Sequence, residues 1–139
     1  MPKEFKASTT INASPEKIWE ILTDGSRYPE WEPSVTRLEG RIAPGETLKV
    51  HSKLSPGRTF PVKVREFTPG KRMTWEGGMP LGLFKGVRSF TLTPQGEAQH
   101  FELREVFSGP MLFMIGSSLP DMTGAFEGFC AGLKARAEG

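Results

Sequence analysis

The chain has 139 residues, with 18 Lys and Arg against 16 Asp and Glu and a formal net charge of +2, the two signs mixed along its length. That length suits a single domain, 1–139, with a sizeable core, and the lack of a basic block argues against nucleic acid as a partner. Cys130 is the one cysteine, which excludes an intrachain disulfide and a cysteine-built metal site. The amino terminus lacks the apolar core of a signal peptide, and no apolar run approaches the roughly 20 residues that span a bilayer. A soluble, cytoplasmic protein without stable membrane insertion is expected.

Phe5, Ala7, Thr9 and Ile11 alternate with Lys6, Ser8 and Thr10, the period of a half-buried strand. Ser14-Pro15 then supplies an N-cap and a proline at the first helical position, and Ile18, Ile21 and Leu22 form the apolar stripe of a helix ending near Asp24-Gly25. With Lys17 where a capping box wants Glu or Gln, the cap is a simple one. The stretch 26–33, with Pro29, Pro33, Tyr28 and Trp31, predicts a tight turn or single helical turn that can serve as a lid or mouth.

From Ser34 onward, breaks at Ala43-Pro44-Gly45, Ser55-Pro56-Gly57, Thr68-Pro69-Gly70 and Pro94-Gln95-Gly96 separate short strands. Six antiparallel strands are expected near 34–41, 46–54, 58–68, 71–77, 84–94 and 98–108. A tight turn at Pro56-Gly57 sets Val50 opposite Val62 and Leu48 opposite Val64, and one at Pro69-Gly70 sets Val64 opposite Trp75. The last hairpin places Leu92 opposite Phe101, Phe90 opposite Leu103, and Arg88 opposite Glu105. These residues share one face. The other carries Lys49, His51, Lys63, Arg65, Thr74, Ser89, Thr91, Glu102 and Arg104 and reads as solvated.

The last segment, 110–138, provides the cover for the apolar face. Gly116-Ser117-Ser118 and Pro120 should interrupt it, and Asp121 should cap a longer second helix. In that helix Met122, Phe126, Phe129 and Leu133 recur at steps of three and four, with Cys130 and Ala137 beside them and Glu127, Lys134 and Glu138 opposite. Gly124, Gly128 and Gly132, with Ala131 and Ala135, leave a smooth strip on the other side. Each glycine costs roughly 1 kcal/mol of helix propensity, which close approach of another surface would offset. A homodimer contact through this helix is one reading; tolerated filler, or a soft helix that moves to admit a ligand, is the other. Strand, helix, helical turn, six strands and long helix make an α+β layer architecture.

The runs Ile11-Asn12-Ala13-Ser14-Pro15-Glu16-Lys17-Ile18-Trp19, Leu22-Thr23-Asp24 and Tyr28-Pro29-Glu30-Trp31 resemble the opening of the START-like, or SRPBCC, helix-grip superfamily, and within it the polyketide cyclase/dehydratase and lipid-transport-like group. Gly86, Phe90, Leu92, Glu105, Phe107 and Gly109, then Phe126, Phe129, Gly132-Leu133-Lys134 and Ala137-Glu138, continue the likeness over nearly the whole chain. The resemblance implies a seven-stranded antiparallel curved sheet wrapped around a long C-terminal helix, with a cavity between them for an apolar small molecule. It does not choose between carriers and enzymes.

Arg88 and Glu105 keep inward parity on otherwise apolar strands, where isolated charges are costly unless paired. Such a pair can orient a ligand's polar end or tune an acid, or it can be a structural ion pair at the cavity edge. Replacing Arg88 by Met is expected to weaken polar-ligand binding more than stability. Trp75, Phe90 and Phe107 are expected near the cavity, with Val64, Met122 and Phe126 on the same apolar surfaces, while Trp19 packs the first helix on the sheet. In the loop 77–84, Met79 and Phe84 among flexible glycines read either as a hydrophobic gate or as a hairpin loop closing the core. His51 and His100 point outward on separate strands and make no metal site, and no nucleophile elbow, Cys-His set or phosphate loop is present. No cofactor or metal is expected. The leading expectation is binding of a hydrophobic or amphipathic small molecule of lipid, polyketide or aromatic type. A polyketide cyclase/dehydratase-type enzyme using Arg88 and Glu105 is the alternative, and a protein-interaction adaptor has little support.

Overall fold

The computed structural model describes residues 3–53, 57, 59–115, 119 and 121–139. Seven antiparallel strands form one curved sheet in the order β1-β7-β6-β5-β4-β3-β2. In chain order these are β1 (Lys3–Ile11), β2 (Val35–Glu39), β3 (Thr47–Ser52), β4 (Thr59–Thr68), β5 (Arg72–Gly78), β6 (Lys85–Gln95) and β7 (Ala98–Ser108). Helices α1 (Pro15–Thr23) and α2 (Tyr28–Trp31) follow β1, and α3 (Leu112–Ile115) and α4 (Thr123–Glu138) follow β7. The sheet wraps α4, as the helix-grip resemblance implies.

Local sequence explains most of these elements. Ser14 Oγ accepts from the Lys17 amide at 3.1 Å, and Pro15 opens α1, whose Ile18, Trp19 and Leu22 are buried. Trp19 meets Phe67 edge to face at 5.5 Å, so it does pack the first helix against the sheet. The long helix starts two residues after Asp121, whose Oδ1 accepts from the Thr123 amide at 3.0 Å and caps it from outside. Phe126, Phe129, Cys130, Leu133 and Ala137 are its buried stripe. The expected break at Gly116-Ser117-Ser118 and Pro120 lies outside the described residues. No helix among the described residues is long and apolar enough to cross a membrane.

The pairing of β6 with β7 is as the turn predicts: Leu92 faces Phe101, Phe90 faces Leu103 and Arg88 faces Glu105. Val64 faces Trp75, also as expected. The β3–β4 pair differs, with Leu48 opposite Val62 and Val50 opposite Phe60. The described ladder ends at His51 opposite Thr59, and its register is two places from the one that a tight turn at Pro56-Gly57 predicts. A two-place slide leaves every side chain on its own face, which is why the inward set survives the error. Ser55 and Pro56 lie outside the described residues. A bulge between Val64 and Phe67 then reverses parity along β4 and turns Phe67 in toward Trp19.

Two further expectations are corrected. The outer sheet face is not wholly solvated, because Thr74 and Ser89 are buried. Thr74 Oγ1 accepts from the Glu66 amide, and the long Arg72 side chain lies beside it, reaching Thr91 and Glu66. Short hydroxyl residues among long charged ones are covered by their neighbours' aliphatic stems. The single helical turn α2 is not a lid. Tyr28, Trp31 and Glu32 are all buried, Tyr28 donates from its hydroxyl to the Leu22 carbonyl, and its ring lies 4.7 Å from Trp31 and 6.1 Å from Trp75.

The glycine strip of α4 has a surface to meet inside the chain. A Cβ on Gly132 would overlap the Trp31 carbonyl oxygen, and one on Gly128 would lie 3.3 Å from Pro33 Cγ, whereas Gly124 has open space around it. Close approach to the segment 31–33 therefore accounts for Gly128 and Gly132 without a second copy of the chain. Lys134 Nζ donates to the Thr10 carbonyl, and Glu138 accepts from the Asn12 amide, tying the end of α4 to β1.

Candidate functional site

Between the sheet and α4 lies a cavity of about 550 Å³. Its walls follow from the inward positions of three neighbouring strands. On β5, Trp75 and Gly77 point inward; on β6, Arg88 and Gly86; on β7, Leu103, Glu105 and Phe107. Gly77 and Gly86 are paired directly across the two strands. Neither faces open space: a Cβ on Gly77 would lie 2.9 Å from the Pro61 carbonyl oxygen, so the neighbours close in on both positions of the cavity wall. The glycines were read in the sequence only as loop or family features; their inward parity beside Trp75 and Arg88 was the available signal.

The neighbours of Gly86 are fitted just as tightly. A Cβ on Gly86 would lie 3.0 Å from Phe107 Cε1 and 3.1 Å from Glu105 Oε2. Phe107 stacks on Phe84 at 5.7 Å and meets Phe5 edge to face at 6.2 Å, while Phe5 in turn meets Phe126 at 6.4 Å. These rings form one continuous apolar wall.

Arg88 Nε donates to Glu105 Oε1 at 2.7 Å, and the guanidinium carbon lies 4.9 Å from the Phe126 ring centroid. The two side chains are 25% and 14% exposed, so the pair is inward but in reach of water. Held by a carboxylate on one side and an aromatic face on the other, the planar guanidinium has little rotational freedom. Among the described residues Glu105 is its hydrogen-bond partner, through Nε, which leaves both Nη groups unengaged. Behind this layer, burial pushes the Tyr28 phenol well above its ordinary value, against a smaller lowering from Arg88. The hydroxyl is neutral and spent on Leu22. The indole N–H groups of Trp31 and Trp75 are buried without a hydrogen-bond partner among the described residues.

Of the residues expected at a ligand site, Trp75, Arg88, Glu105, Phe107, Phe126 and Met122 line the cavity, as do Met79 and Phe84. Val64 and Phe90 do not. Both are fully buried behind the wall, Phe90 touching Trp75 and Phe129. The loop 77–84 does not seal the core, since Leu81 is 96% exposed at a positive φ of 60°. It is bound to the segment after β7, where the Met111 amide donates to the Leu83 carbonyl, and Phe113 and Met114 are exposed there. Met79 and Phe84 therefore stand at an apolar rim.

His51 is not an isolated outward histidine. Its Nε2 lies 2.8 Å from Glu39 Oε2, and this hydrogen bond holds the Glu39 carboxyl below its ordinary value. No group of three or more His, Cys, Asp or Glu is placed to hold a metal among the described residues. The Cys130 thiol is pushed up from 9.0 to about 12, first by burial and then by Glu127. At pH 8 roughly one thiol in ten thousand is ionised, so a disulfide reagent should leave the native protein unlabelled and titrate one thiol after urea. Fast labelling of the native protein would contradict the buried placement. The same shift has a sign for stability. The unfolded thiol ionises above about pH 9 while the folded one does not, so this group favours unfolding increasingly as pH rises from 9 toward 12.

A family model described as polyketide cyclase / dehydrase and lipid transport matches residues 2–138. No curated protein matches the chain in sequence. Among solved structures, a hypothetical protein of Helicobacter pylori superposes with a TM-score of 0.79 at 14% identity, covering 97% of this chain and 88% of the other. The Zhui aromatase/cyclase from Streptomyces sp. R1128 gives 0.72 at 14% identity over 99% and 94%. A START superfamily protein from Mycobacterium smegmatis gives 0.69 at 17% identity over 97% of each chain. At these identities the structural likeness speaks for the fold.

Proposed function

Because the chain belongs to the polyketide cyclase / dehydrase and lipid transport family, we propose that it binds a hydrophobic or amphipathic small molecule between the sheet and α4. The observation that carries this reading is a cavity of about 550 Å³ with mostly apolar walls and one inward ion pair. That volume lies within the roughly 300–1,000 Å³ of small-molecule pockets, and a few polar groups in an apolar wall are what orient such ligands.

A cyclase or dehydratase would need a group that takes or gives a proton beside the ligand. Arg88 stays protonated at any working pH. The Tyr28 hydroxyl is turned away to Leu22, and Glu105 is the one carboxylate among the described lining residues, already accepting from Arg88. One engaged carboxylate supports holding a ligand more than transforming it.

The test combines two measurements. Native mass spectrometry of protein purified without detergent is expected to find a co-purified small molecule. Titration with the neutral fluorophore N-phenyl-1-naphthylamine is expected to show uptake by the wild type and at least a tenfold loss with Gly86→Val, whose side chain would push Phe107 and Glu105 into the cavity. Equal uptake by a Gly86→Val protein with an unchanged circular dichroism spectrum would place the probe elsewhere and sink the proposal.

A further inference from the structure

We infer that the cavity selects ligands whose polar end is an uncharged oxygen acceptor, such as a ketone or ester carbonyl, over carboxylates, and that Glu105 is the residue that sets this choice. The inference rests on the reading of the cavity as a ligand site and names the chemistry that it takes.

The argument is one of charge. Among the described lining residues Arg88 and Glu105 are the charged ones, and they are bonded to each other, so the described lining carries no net charge. Burying a carboxylate there would leave one uncompensated negative charge among apolar side chains, a few ångströms from the Glu105 carboxylate. A carbonyl oxygen leaves the charge balance untouched. It can accept from the Nη groups of Arg88, which have no partner among the described residues, and a hydrogen bond from a charged donor is stronger than one between neutral groups.

Geometry adds the direction of approach. Leu103, Glu105 and Phe107 follow one another inward along β7, and Leu103 is fully buried while the rim beyond Phe107 and Phe84 is half exposed at Met79. The ion pair thus lies between a closed apolar floor and that apolar rim. The guanidinium rests on the Phe126 ring and cannot swing out to follow an anion without giving up both Glu105 and that contact. Glu105 therefore does two things: it fixes the Arg88 donors, and it repels anions that those donors would otherwise attract.

The experiment compares two probes of matched ring size, 2-acetonaphthone and 2-naphthoate, by displacement of N-phenyl-1-naphthylamine at pH 8. The wild type is expected to bind the ketone at least tenfold more tightly. Glu105→Gln keeps the shape and an oxygen acceptor for Arg88 Nε but makes the lining cationic, and it is expected to strengthen naphthoate binding at least tenfold while moving the ketone less than threefold. The wild-type ratio needs no variant, so a poorly folded Glu105→Gln protein would still leave a decisive measurement. Tighter binding of naphthoate by the wild type, or a ratio unmoved by Glu105→Gln, would overturn this inference alone. Exclusion of both probes and of the fluorophore would overturn the cavity reading, and this inference with it.

Discussion

Replacing Gly132 by alanine should destabilise the protein by about 3 kcal/mol, while the same replacement at Gly124 in the same helix should stabilise it by up to about 1 kcal/mol. Both changes gain the helix propensity that glycine lacks. At Gly132 the added methyl runs into the Trp31 carbonyl oxygen, which is backbone and cannot rotate away. Relief would require moving α2, which carries buried Tyr28 and Trp31 and leads into buried Glu32. At Gly124 nothing lies within 4 Å, so only the propensity gain remains. Urea unfolding followed by circular dichroism reads both. A Gly132→Ala protein as stable as the wild type would mean that α4 does not seat on α2 as described.

The second large effect concerns the ion pair. Arg88→Met should weaken binding of 2-acetonaphthone by about 2 kcal/mol, roughly thirtyfold, because a charged donor to the ligand oxygen is lost. Its cost in stability should be smaller, about 1 kcal/mol, since water reaches the pair and softens the penalty on the abandoned Glu105 carboxylate. Arg88→Met with Glu105→Leu should recover the stability, because no charge is then left in the wall, yet should not recover binding. Calorimetric titration and urea midpoints on the four proteins of this cycle separate the two roles. A stability loss equal to or larger than the binding loss would identify the pair as structural.

The elements whose positions depend on local chemistry were legible in the sequence. Ser14 and Pro15 open α1, alternation marks β1, and the close β6–β7 hairpin at Gly96 allows its whole register to be counted, including Arg88 opposite Glu105. Where a connection is long, the count fails. The β3–β4 register lies two places from the one counted through Pro56-Gly57, and the bulge before Phe67 leaves no periodic trace. The ligand-site expectations divide in the same way. Parity puts Trp75, Arg88, Glu105 and Phe107 on one face, and all four line the cavity, but parity does not tell Phe90, on the same face, from a residue that reaches the cavity.

The amino-acid sequence by itself determined which side of the unbulged strands turns inward, which helix covers the sheet, and that one opposite-charge pair shares the covered face, because these depend on periods of two and 3.6 residues along the chain. Only the tertiary structure decided where space is left over. Gly124 faces open space, whereas Gly132 beneath Trp31 makes a contact, and the same residue type has opposite consequences. The physical reason is that packing is a relation between segments distant in sequence: a missing side chain leaves a hole or admits a neighbour according to what the fold brings opposite it.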